Sequence, residues 1–188
     1  DRRYPGIEFT HRYPEDPDPL RDLATFRAVL IEQLRTPSDF GLDTPDRVQR
    51  LEAFANDGGR ILIASLEYRG SLWGGTIEPG WSSDPLAATD DLARVLPGLA
   101  LAPQGYTATA TLALGKDSGF VPLAVLKKDP SKVVMAAKVV GKGLVFVDLQ
   151  PFLRGDMPAA WDAKICGELG LSVTHRWVDN DNLLNQRP

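Results

Sequence analysis

A chain of 188 residues, 43% hydrophobic and 24% charged, has apolar material for a real core and fits one domain of ordinary size. Its formal charge is −4, and Arg2-Arg3 and Lys127-Lys128 are its only adjacent basic pairs, which argues against nucleic acid, whose phosphates need clustered Lys and Arg. Cys166 stands alone, so no intramolecular disulfide forms, and no apolar run approaches the ~20 residues that cross a bilayer. No stretch reads as a secretory signal, and the compartment stays open. The chain opens on Asp1 rather than Met, the mark of a processed chain, a trimmed one or a fragment.

In chain order, Gly6 to Tyr13 alternates as a short strand, with Ile7 and Phe9 on one face. Three prolines between Pro14 and Pro19 then impose a stiff, exposed connection. Ala28 to Glu32 (AVLIE) is a continuous apolar run, the mark of a strand buried on both faces. Thr44-Pro45 reads as an N-cap followed by an N1 proline, the threonine hydroxyl accepting from a free amide. Val48, Leu51, Phe54 and Ala55 lie near one helical stripe, which Gly58-Gly59 ends. Arg60 to Ser65 (RILIAS) is a second buried strand, and strand, capped helix and strand predict a parallel βαβ unit.

The pattern then dissolves. Leu66 to Ser83 holds four glycines with Trp73 and Trp81, and reads as a long glycine-rich, aromatic loop. Thr89 caps a short helix to about Leu96, which Pro97-Gly98 stops. Tyr106 to Leu114, Val121 to Leu126 and Lys132 to Val140 read as strands, and Gly141-Lys142-Gly143 turns the chain into Leu144 to Leu149. A last helix spans Pro158 to Leu169, a short strand Leu171 to Trp177, and a polar tail residues 179–188. The predicted fold is α/β, one domain over residues 1–178. A flavodoxin-like, mainly parallel sheet has helices on both faces and an antiparallel extension around Gly141-Lys142-Gly143.

The order of the phrases "AVLIEQ", "FANDGGRILIAS" and "AAKVVGKGLVFVDLQPFL" resembles the non-catalytic branches of the class I glutamine amidotransferase-like superfamily, over residues 28–169. The resemblance implies a flavodoxin-like sheet and a role in a larger assembly. It departs from the superfamily in two ways. The usual first strand and helix have no counterpart before Gly6, and no Gly-x-Cys-x-Gly elbow follows Ile61 to Ala64. Cys166 lies inside the last predicted helix, so amidotransferase activity does not carry over.

No motif for catalysis, metal or nucleotide is complete. Cys166 beside Ile165 reads as an inert buried thiol, and His11 and His175 stand in no metal-ligand spacing. Gly70 to Gly75 lacks the pattern of a phosphate cradle, so no cofactor is expected. The segment at the carboxyl end of a predicted parallel strand carries the candidates for ligand or partner contact: Glu67, Tyr68, Arg69, Trp73, Glu78, Trp81 and Asp84. The reading that follows is a non-catalytic interaction or scaffolding domain whose partners are other protein subunits. The alternative is a carbohydrate-active enzyme or its accessory domain, with the carboxylates as acid and base and the tryptophans stacked on a sugar.

Overall fold

The computed structural model describes residues 16–32, 44–64, 68–96, 101 and 107–150, and these hold nine strands and two α-helices. The expected unit opens the fold. Strands β1 (Ala28–Glu32) and β2 (Arg60–Ala64) run parallel, with Val29 beside Ile61 and Ile31 beside Ile63, and helix α1 (Pro45–Asn56) falls between them in the chain. Ile61 and Ile63 join a core cluster with Leu51, Phe54 and Ala55 of α1, while Leu62 and Ala64 join a second one. A strand packed on both faces needs an apolar residue at every position, so RILIA shows no alternation.

The two ends of α1 are made differently. Thr44 is extended and its carbonyl accepts from the Val48 amide at 3.1 Å, but its hydroxyl makes no capping bond. The expected hydroxyl cap is therefore corrected: Pro45, whose ring fixes a helical φ and has no amide to satisfy, sets the start. At the far end the Gly59 amide donates to the Phe54 carbonyl at 2.9 Å and Gly58 adopts φ 112°, the left-handed closure glycine favours.

Strand β9 (Gly143–Asp148) lies parallel to β2 on its other side, and β8 (Val133–Val140) returns antiparallel to β9. The turn between them also closes α1. The Lys142 amide donates to the Asn56 carbonyl at 3.1 Å and the Leu144 amide to the Gly59 carbonyl at 3.3 Å. A Cβ on Gly143 would overlap the carbonyl oxygens of Ala55 and Gly59, so the turn approaches the helix this closely only as glycine.

Beyond this point the sheet is antiparallel and branches at β8. Strand β7 (Val121–Leu126) pairs with β8 and carries the short β5 (Leu86–Ala88) on its other edge. Strand β6 (Ala108–Leu114) meets β8 at Leu112 and Val133, and continues to β4 (Gly75–Ser82) and β3 (Gly70–Leu72). Helix α2 (Asp90–Val95) packs against β7 through Thr89, whose hydroxyl donates to the Pro122 carbonyl at 2.6 Å instead of making the expected cap.

The flavodoxin-like expectation is thus overturned. Among the described residues, β1–β2 and β2–β9 are the parallel pairings and the other six are antiparallel, in a mixed, strand-dominated sheet rather than a mainly parallel one with helices on both faces. The physical reason is connection length. Parallel neighbours need a crossover of a dozen or more residues, and much of the chain after Ala64 turns back too soon for one. The strands predicted at 6–13 and 171–177 and the helix at 158–169, with Cys166 and both histidines, lie outside the described residues.

Candidate functional site

The predicted glycine-rich loop is instead the β3–β4 hairpin. Trp73 and Gly74 form its two-residue turn with φ 42° and 81°, and positive φ at both central residues is what a type I′ turn requires. Trp73 is half-buried against the main core, and its Nε1–H donates to Glu52 Oε1 of α1 at 2.7 Å. The hairpin tip is thereby tied to the helix.

The predicted contact residues do not gather at one point. Tyr68 is 3% exposed and belongs to the core, and Glu67 lies outside the described residues. Glu78, opposite Thr111 of β6, forms an ion pair with Lys132, the residue before β8. The hydrogen bond from Lys132, reinforced by its charge and more weakly by Arg69, holds the Glu78 carboxyl below the ordinary carboxylate value. Asp84 accepts the Lys128 backbone amide at 2.8 Å, and the Lys128 ammonium stands 3.7 Å from its other oxygen. A general acid–base pair needs two carboxyls free to exchange protons with a substrate between them. Here each is tied to an intramolecular partner, Glu78 to Lys132 and Asp84 to Lys128. Trp81 keeps 41% of its surface exposed near the end of β4, and Arg69 is exposed before β3.

Two further features escaped the sequence reading. Asp148 is fully buried at the carboxyl end of β9, beside Ala64 of β2. Its Oδ1 accepts from the Gln150 backbone amide at 3.0 Å and from Gln150 Nε2 at 3.2 Å, a local turn that ends the strand inside the core. The available signal was an acid at the close of the apolar run LVFVDL. The second feature is an open cleft of about 760 Å³ at the amino ends of β1 and β2, between the 3₁₀ turn Leu23–Thr25 and the last turn of α1. Arg27, Arg50 and Arg60 line it with Asp22 and Asp57. These residues are scattered along the chain, so only the fold brings them together. Among the described residues no group of three or more His, Cys, Asp or Glu is placed to hold a metal ion, and no helix is long and apolar enough to cross a membrane.

No family model matches the sequence, and no curated protein does. Solved structures do. The chain is 16% identical to a β-galactosidase from Bacillus circulans sp. alkalophilus, over 81% of this chain and 24% of that one, with a TM-score of 0.46. It is 16% identical to a β-galactosidase from Rahnella sp. R3, over 69% of this chain and 21% of that one, at 0.41. It is 11% identical to a cytoplasmic protein from Salmonella typhimurium, over 89% of this chain and 78% of that one, at 0.49. The chain thus spans between 21% and 24% of the length of the two galactosidases, and the likeness is a partial one of fold. The expected place in the glutamine amidotransferase-like superfamily is corrected. The sheet, mixed and mostly antiparallel, is not the flavodoxin-like one that the superfamily implied.

Proposed function

We propose that the chain is a non-catalytic accessory domain of a larger carbohydrate-active protein, and that the Trp81 end of the β3–β4 hairpin is its contact surface. The observation that carries this reading is Trp81 itself, a large hydrophobic residue that keeps 41% of its surface exposed near the end of β4. An exposed indole offers a rigid apolar face with a polar edge, suited to the C–H face of a sugar ring. Arg69 adds an exposed donor on the same hairpin. Carbohydrate action is the printed activity of the two galactosidases, and it sets the class of ligand to test first.

The test is titration of the purified protein with soluble β-galactan and β-mannan, followed by tryptophan fluorescence. Trp81→Ala is expected to weaken binding by about tenfold or more, the loss of a buried aromatic anchor at a contact. If neither polysaccharide binds, or if Trp81→Ala binds as the parent does, the reading fails. Capture of a defined protein subunit through Trp81, with no saccharide binding, would replace it with a scaffolding role.

A further inference from the structure

We propose that the cleft at the amino ends of β1 and β2 is a second binding site, and that it takes a neutral mono- or disaccharide. Its volume of about 760 Å³ falls within the roughly 300–1,000 Å³ usual for small-ligand sites. Leu23, Phe26 and Phe54 supply an apolar lining. The polar groups around it decide the ligand class.

Arg50 is committed elsewhere: its guanidinium makes two bonds to the Asp18 carboxylate, at 2.9 and 3.1 Å, and one to the Leu20 carbonyl at 2.7 Å. That leaves Arg27, just before β1, and Arg60, which opens β2 and whose amide donates to the Arg27 carbonyl at 3.1 Å, with the acids Asp22 and Asp57. The ion pairs among the described residues include none of these four. The cleft therefore presents two groups that only donate and two that only accept, with no net charge. An anion would satisfy the arginines and meet Asp22 and Asp57, and a cation would do the reverse. Each hydroxyl of a saccharide both donates and accepts, so one neutral ring serves both kinds of group while its C–H face covers Leu23 and Phe26.

This goes beyond the hairpin surface and does not depend on it, because β9, β8 and β6 separate β2 from β4 in the sheet. The experiment is done in the Trp81→Ala protein, so that saccharide retained there belongs to the cleft. Lactose, cellobiose and mannobiose are the probes in saturation-transfer NMR and calorimetry, with phosphate as the anionic and choline as the cationic comparator. At least one disaccharide is expected to bind. Arg27→Gln and Asp57→Asn are each expected to weaken it about 3–10-fold, the loss of one hydrogen-bonded contact. Asp57 is exposed and tolerates the change, so it reports on the cleft even if the arginine variant fails to fold. No disaccharide binding, binding unchanged by Asp57→Asn, or preferential binding of phosphate or choline would each overturn the proposal.

Discussion

Trp73 is the residue at which several constraints meet. A bulky side chain at φ 42° pays a conformational cost that glycine or asparagine would avoid, and its retention needs a compensating contact. The structure supplies two: packing of the indole on the main core, and the 2.7 Å bond from Nε1–H to Glu52 of α1. Trp73→Phe keeps most of the packing and deletes the bond. It is expected to lower unfolding free energy by about 1 kcal/mol, read by urea denaturation, with fold retained in circular dichroism. Trp73 and Trp81 looked equivalent in sequence, as two indoles among glycines. Only the hairpin geometry separates them, tying Trp73 to α1 and keeping 41% of the Trp81 surface exposed.

Among the elements, the β8–β9 turn shows why glycine spacing carries structure. Gly143→Ala would set a methyl against the Ala55 and Gly59 carbonyls, and is expected to destabilise the fold by about 1–3 kcal/mol. Gly80→Ala on β4, where nothing lies within 4 Å, is expected to change stability by less than about 0.5 kcal/mol in the same denaturation measurement. Element boundaries were largely legible. The expected spans for β1, α1 and β7 match those found, β2 and β8 each differ by one residue at one end, and β9 by one residue at both ends. The pairing was not legible, because a run such as VPLAVL reads alike in a parallel or an antiparallel sheet. The hairpin was missed because Trp-Gly is not a usual type I′ pair and because Gly75, pressed against Leu112 of β6, breaks the strand pattern. Both threonine caps were assigned from residue type alone. The structure uses neither hydroxyl as a cap, and that of Thr89 binds α2 to β7 instead.

On the scale of the whole molecule, three carboxyls share one electrostatic sign. Arg50 lowers Asp18 and Lys132 lowers Glu78, in each case chiefly through a side-chain hydrogen bond, and Ser131 lowers Asp129 from the ordinary value of 3.8. A carboxyl whose folded pKa lies below its unfolded one stabilises the fold above the unfolded value, and loses that contribution as pH falls through the folded one. The thermal midpoint is therefore expected to drop as pH falls from about 4.5, the ordinary value for Glu78, and to drop less steeply in the Asp18→Asn, Glu78→Gln double variant. Legibility at this scale was partial: the Glu78 and Asp84 positions were found, but their cations lie 54 and 44 residues further along the chain, and spacing alone does not join them. The most direct test of the account is hydrolysis of nitrophenyl β-galactoside and β-mannoside by the purified chain and its Glu78→Gln variant. No turnover above the blank is expected in either protein. Turnover by the parent that Glu78→Gln abolishes would contradict it.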